Sequence, residues 1–181
     1  MAKGRAALRT LEVGFVQERE LSLLSSKVTS RGDLVLVRGG KMRWRLFAPD
    51  DATYWVSPQG IAYRTKDGSG TIGAAQAGGL AAMLDDLLIV VGGDLDKLKI
   101  RYDLTGRKQD DKVVLTLLPR AEKAKKVVKK LTVTLDSDGT PRRVVIEEPE
   151  GDSTTIAFGE AKKNGALDES VASAPPPPSQ R

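Results

Sequence analysis

The sequence has no cysteine and no histidine among its 181 residues. Without cysteine there is no disulfide, no thiolate metal ligand, no thiol nucleophile and no self-lipidation within these residues. Without histidine the commonest general base and metal ligand are missing, so an enzyme here would have to work with carboxylates, Lys, Ser or Tyr. Aromatic residues make up only 4%, which leaves Leu, Val, Ile and Ala to build the core. Long hydrophobic runs are also absent. The best apolar stretch, Leu80 to Val91, is interrupted by Asp85 and Asp86 and falls short of the roughly 20 residues that span a bilayer. No apolar core follows Met1-Ala2-Lys3-Gly4-Arg5, so no signal peptide is visible, and composition alone leaves a cytoplasmic and an exported location both open.

What is present is ordinary for a soluble domain: 40% hydrophobic and 29% charged residues. The length predicts one domain over residues 1–174, followed by a stiff Pro-rich tail, 175–181. The 29 basic and 24 acidic residues, net +5, are spread along the chain. They read as a mixed-sign solvated surface, or as a mild attraction to a membrane surface or an acidic client.

The spacing of Leu8, Leu11 and Phe15 predicts a short amphipathic helix over 4–15. The period then changes to two. Residues 33–38 read as a strand apolar on both faces, and Gly39-Gly40 as a turn. Met42, Trp44 and Leu46 alternate with Lys41, Arg43 and Arg45 as a half-buried strand. Strands follow at 53–57 and 61–65, then a Gly-rich loop at 66–79. Leu80, Met83, Leu84, Leu87, Leu88 and Val91 share one face of the clearest helix. Gly92-Gly93 stops it, and Asp94 is a candidate cap for one more turn through Leu98. Strands resume at 100–104, 112–118, 130–136, 142–148 and 153–160, and a last one is a candidate at 170–174. About ten strands joined by turns imply an antiparallel sheet, whose apolar face needs the helices as cover.

Several groupings resemble chemical motifs and fail on detail. Asp136, Asp138 and Glu147 suggest a calcium loop, yet Gly139 stands at the fourth position and not the sixth, and strands flank it. The Lys-rich 120–130 stretch lacks aromatic residues for base stacking and reads as a solvated loop, so no nucleic acid is expected. Gly68-Ser69-Gly70 and Gly78-Gly79 fit no phosphate loop. Asp85 and Asp86 read as solvated residues on the polar side of their helix. No catalytic residue, metal ligand or cofactor emerges. The 80–91 helix is either an ordinary core helix or a movable lid with Met83 as a compliant contact. Arg38 shares a face with Leu34 and Leu36, and either snorkels to water or holds a guanidinium at the edge of an apolar space.

Taken in order along the chain, the motifs resemble those of the LolA family of periplasmic lipoprotein carriers. Phe15-Val16-Gln17 is similar to the family's F-x-Q. Gly32-Asp33-Leu34, Val37-Arg38 and Met42-Arg43-Trp44 resemble its G-x-L…R-P-x-x-F-x-W hairpin. Val56 to Gly60 resembles its V-S-D-G turn, and Leu115 to Arg120 its L-x-P-K. Asp136 to Gly139 and Thr154 to Phe158 resemble its last hairpins. Gly39 stands where the family has Pro, and Met42 where it usually has Phe. Val171 and Ala174 stand where aromatic residues are common.

The resemblance implies an α+β fold, a half-open antiparallel barrel of about 11 strands covered by two or three helices. It implies a monomeric, chaperone-like carrier that takes acylated lipoproteins from an inner-membrane ABC-type transporter to an outer-membrane acceptor. It also implies a periplasmic location, with a signal peptide removed before Ala2 or Lys3. The lipid-binding and lid residues it points to are Arg38, Leu34, Leu36, Met42, Trp44, Leu80, Met83, Leu84, Leu87 and Leu88, with Arg38 hydrogen-bonding to the closed lid. A carrier or sensor of another lipid or glycolipid, a small enzyme on the same fold, and a structural envelope module with a filled core remain as alternatives. The carrier reading expects a trough unfilled by the protein's own side chains.

Overall fold

The computed structural model describes residues 8–23, 26–73, 78–92 and 95–174. The first meander comprises β1 (Thr10–Leu21), β2 (Ser26–Val37), β3 (Lys41–Leu46), β4 (Ala52–Ser57), β5 (Gly60–Thr65) and β6 (Gly68–Gly73). Helices α1 (Gly78–Gly92) and α2 (Leu95–Arg101) follow. The second meander is β7 (Tyr102–Gln109), β8 (Lys112–Pro119), β9 (Lys130–Leu135), β10 (Pro141–Glu147) and β11 (Ser153–Phe158), with a one-turn α3 (Glu122–Lys125) between β8 and β9. A two-residue β12 (Lys162–Lys163) pairs with β1, and a 3-10 helix covers Glu169–Ala172.

All pairings are antiparallel, in the order β6-β5-β4-β3-β2-β1-β11-β10-β9-β8-β7. Each meander is thus internally sequential, and the two are joined side by side through β1 and β11. The consequence is topological: β6 and β7 are the two edges of the sheet, and α1 with α2 is the segment that runs from one edge to the other. Inward residues from both ends, Ile61 of β5 and Tyr102 of β7, belong to the same buried cluster as Leu87 of α1. The sheet therefore curls around α1 as an open half-barrel.

The alternation that defines the inner wall is plain in β1, where Leu11, Val13 and Phe15 are buried and Glu12 and Gly14 are exposed. This corrects the helix expected at 4–15. Leu8, Leu11 and Phe15 suit a helical period, but Val13 completes a period of two, and twelve residues of β2 pair with it. Residues 1–7 lie outside the described part, as do Asp94 and the Pro-rich tail.

Three further expectations change. The Gly-rich 66–79 loop contains β6, which pairs residue for residue with β5 although it carries one large apolar side chain, Ile72. The strand expected from 100 begins at Tyr102, because α2 continues through Arg101. The strand expected at 170–174 is instead the 3-10 helix, capped by the Asp168 carboxylate accepting from the Ser170 N–H at 2.9 Å. This segment packs Ala172, Leu167 and Val171 on Val35 and Val37. That packing explains why β2 is apolar on both faces: one faces the half-barrel interior, the other lies under the C-terminal segment.

Candidate functional site

The concave wall is mostly aliphatic, and its stacked aromatic pair lies at one place. Phe15 on β1 and Trp44 on β3 flank β2 and stack at 3.9 Å between ring centroids. They meet because β2 has Gly32 between them. A Cβ there would lie 2.0 Å from the Arg45 carbonyl oxygen and 2.6 Å from Cζ of Phe15. Phe15, Gly32 and Trp44, drawn from two of the sequence motifs, thus form one aromatic bridge over a strand. Phe158 closes it edge-on at 6.4 Å.

Helix α1 lies in the trough as a plug. Leu87, Ile89, Val90 and Val91 are all buried, and Leu88 is half-buried. From residue 86 onward the helix is covered on almost every side, as expected of a helix that is apolar all round. The expectation of an unfilled trough is therefore corrected: in this closed arrangement the protein's own side chains occupy the space beneath the helix.

Open space remains beside the plug. A cavity of about 590 Å³ lies between α1–α2 and the β2–β3 and β4–β5 turns. Its apolar walls are Leu8, Leu36, Val37, Leu88 and Ile89, and its charged residues are Arg38, Asp85, Lys97 and Arg101. Its size falls within the roughly 300–1,000 Å³ of small-molecule sites.

Of the residues singled out from sequence, Arg38, Leu36 and Leu88 line this cavity. Leu34, Met42, Trp44 and Leu87 are buried in the central cluster. Leu80, Met83 and Leu84 belong to α1, but their side chains lie outside the described part.

Arg38 sits in the β2–β3 turn, where Gly39 and Gly40 take positive φ (98° and 80°). Its backbone N–H donates to the Arg9 carbonyl at 2.7 Å. Its exposed guanidinium makes no hydrogen bond among the described residues. Among the described residues, the polar side-chain contacts of α1 come from elsewhere. Asp86 is buried and accepts from the Tyr102 hydroxyl and, at 3.0 Å, from Arg101 Nη1. Arg101 Nη1 also pairs with Asp85 at 2.6 Å.

The expectation that both aspartates are solvated is thus wrong for Asp86. Burial pushes its carboxyl above the ordinary carboxylate range, and the Tyr102 and Arg101 donors only partly offset this. Burial, then the Asp86 carboxylate that accepts its hydroxyl proton in a hydrogen bond, pushes Tyr102 well above the usual tyrosine range. The sequence signal for this cluster was available: a carboxylate within an otherwise apolar stretch, and a Tyr directly after an Arg at a helix–strand junction. Nothing in either segment alone says that they meet. The space beside Asp86, bounded by Leu87, Val128, Leu131 and Ile146, is about 10 Å³.

No helix among the described residues is long and apolar enough to cross a membrane, and no cluster among them could hold a metal ion.

A comparison with curated proteins finds no match. Among solved structures, a chain of the Pseudomonas aeruginosa MucA/MucB complex is similar at 19% identity and a TM-score of 0.51, over 96% of this chain and 58% of that one. This chain therefore spans less than two thirds of that relative. A LolA superfamily protein from Nitrosomonas europaea is similar at 10% identity and a TM-score of 0.47, over 93% and 91% of the two chains. The Mycobacterium tuberculosis lipoprotein LppX is similar at 13% identity and 0.45, over 92% of each. At 19% identity the likeness to the MucA/MucB chain is one of fold. The family model described as outer membrane lipoprotein carrier protein LolA matches residues 6–172, which include every strand of the half-barrel, and the chain belongs to that family.

Proposed function

We propose that this protein is a periplasmic carrier. It holds the acyl chains of a lipoprotein in the half-barrel and moves them from an inner-membrane ABC-type transporter to an outer-membrane acceptor. The observation that carries this reading is the nature of the interior. An apolar concave wall is filled by one helix that joins the sheet's two edges, with about 590 Å³ already open beside that helix. Withdrawal of α1 exchanges Leu87, Val90 and Val91 for acyl chains against the same wall, so cargo and plug compete for one surface.

Each methylene removed from water contributes about 0.8 kcal/mol. A lipoprotein's tails would therefore stay in any dry pocket that opened at no cost. The closed state supplies that cost: cargo affinity falls by the fraction of molecules already open. In this reading Leu34, Leu36, Met42 and Trp44 form the receiving wall. Leu80, Met83, Leu84, Leu87 and Leu88 form the moving cover, with Arg38 at the mouth.

A carrier also accounts for the buried carboxylate better than an enzyme would. Both oxygens of Asp86 are engaged, and the adjacent space of about 10 Å³ has no room for a substrate. The test is native mass spectrometry with a synthetic triacylated lipopeptide and its deacylated form. One acylated molecule should bind per chain and the deacylated form should not. Equal binding of both, or of neither, would sink the proposal.

A further inference from the structure

The two edges of the sheet are guarded differently. Edge strands expose unpaired backbone donors and acceptors, and proteins usually blunt them with charge or proline. β7 carries Asp103, Arg107 and Lys108, all exposed. β6, with the sequence GSGTIG, carries neither a charge nor a proline, and its free side has no strand partner among the described residues.

Beside β6, on the convex face, is a groove of about 390 Å³. Its floor is the cross-strand row Trp55, Ala62 and Thr71, and the C-terminal residues 172–174 form one wall. The charged side chains on the convex faces of β3, β4 and β5 are Lys41, Arg43, Arg45 and Arg64, all cations. Asp33 of neighbouring β2 offsets part of that charge through Arg43 and Arg45, and Arg64 lies over the Trp55 ring at 5.8 Å.

We propose that β6 is a pairing edge for an extended acidic segment of a protein partner. The segment adds as a further strand beside β6, places apolar side chains toward the Trp55 groove and sets a carboxylate against Arg64 on β5, while Lys41 on β3, at the far side of the groove, adds attraction only at longer range. Main-chain pairing provides affinity in such complexes, and the pockets for alternate side chains provide selectivity. The same charges select against a second copy of this chain, because an edge-to-edge pair would bring two cationic walls together. The proposal concerns the convex face and is independent of what the concave face carries.

The test uses the whole chain with two labelled ten-residue peptides that carry Thr at every second position, so that the positions sharing one face alternate Glu and Val in one peptide and Lys and Val in the other. Fluorescence anisotropy reads binding, and hydrogen exchange reads the amides of residues 68–73. The Glu peptide is expected to bind and to slow exchange in β6, and the Lys peptide to do neither. Arg64→Glu combined with Lys41→Glu, both exposed, should weaken the Glu peptide by about tenfold or more. Thr71→Pro should abolish protection of β6. If Thr71→Pro does not fold, the charge-reversed variant decides alone. No binding, equal binding of both peptides, protection elsewhere than β6, or self-association through β6 would each overturn the proposal. Lipopeptide binding measured on the same sample separates that outcome from failure of the carrier reading.

Discussion

The two meanders hold α1 in different ways. Against the second, α1 is anchored by a buried polar contact, Asp86 with Arg101 and Tyr102, and the space left there is about 10 Å³. Against the first, it faces Leu36 across a cavity of about 590 Å³, and the guanidinium of nearby Arg38 makes no hydrogen bond to a described residue. One side is closely packed and pinned by hydrogen bonds, and the other is loosely packed. Opening should therefore begin where α1 leaves β2, with the helix still held at β7.

The largest test of that contrast is a pair of truncations. Leu117 on β8 is fully buried in the packed half, whereas Leu36 on β2 borders the cavity. Leu117→Ala should cost about 2–5 kcal/mol of unfolding free energy, near the upper end of that range, and Leu36→Ala distinctly less, because a site already beside open space loses fewer contacts. Urea denaturation of both variants would show it; equal losses would erase the distinction between the halves.

A smaller effect separates the two candidate latches. Tyr102→Phe leaves Asp86 with one donor fewer and should destabilise the closed state by about 1–3 kcal/mol. If that change falls on the closed form alone, lipopeptide binding tightens, at most by the corresponding factor. Arg38→Leu removes a guanidinium that makes no described hydrogen bond and should shift binding less. Should Arg38→Leu tighten binding more, with cargo retained in a transfer assay, the latch would lie at the mouth after all.

The smallest expected effect is on pH. Asp86 titrates above its ordinary 3.8 because of burial. Its protonated form is therefore favoured in the closed state, and its contribution to stability is complete below about 3.8 and lost as pH rises through the raised value. The melting temperature of the wild type relative to Asp86→Asn should fall over that interval. Asp138 runs the other way. Hydrogen bonds from Lys163 and Thr140 hold it far below the usual range, so its contribution is lost as pH falls below about 3.8. A flat difference between wild type and Asp86→Asn would show that Asp86 is not desolvated in solution.

The hairpins from β2 to β5 and from β8 to β11 were readable from the chain because one face is wet and the other dry, with turns marked by Gly39-Gly40, Pro58-Gln59-Gly60 and Asp138-Gly139. β1 was misread because Leu11 and Phe15 fit a helical period with Leu8 and a period of two with Val13; only its partner strand decides between them. β6 was missed because an edge strand of Gly, Ser and Thr has little side-chain pattern, and its pairing with β5 is a property of backbone and register. The position of Arg38, Leu36 and Leu88 around one cavity was within reach of pattern and resemblance. The Asp86–Tyr102 contact was not, since it depends on how a helix and a strand junction dock, and neither segment records the other.

The seam between β1 and β11 joins nearly the first described residues to nearly the last, with Phe15 opposite Phe158. A newly made chain therefore cannot complete its curved wall until its final hairpin has emerged, and during that wait the greasy side of the first strands has no counterpart. Such non-local closure slows folding and prolongs exposure to aggregation. On the proposed carrier role, a protein that shelters another's fatty tails would thus itself require shelter at birth.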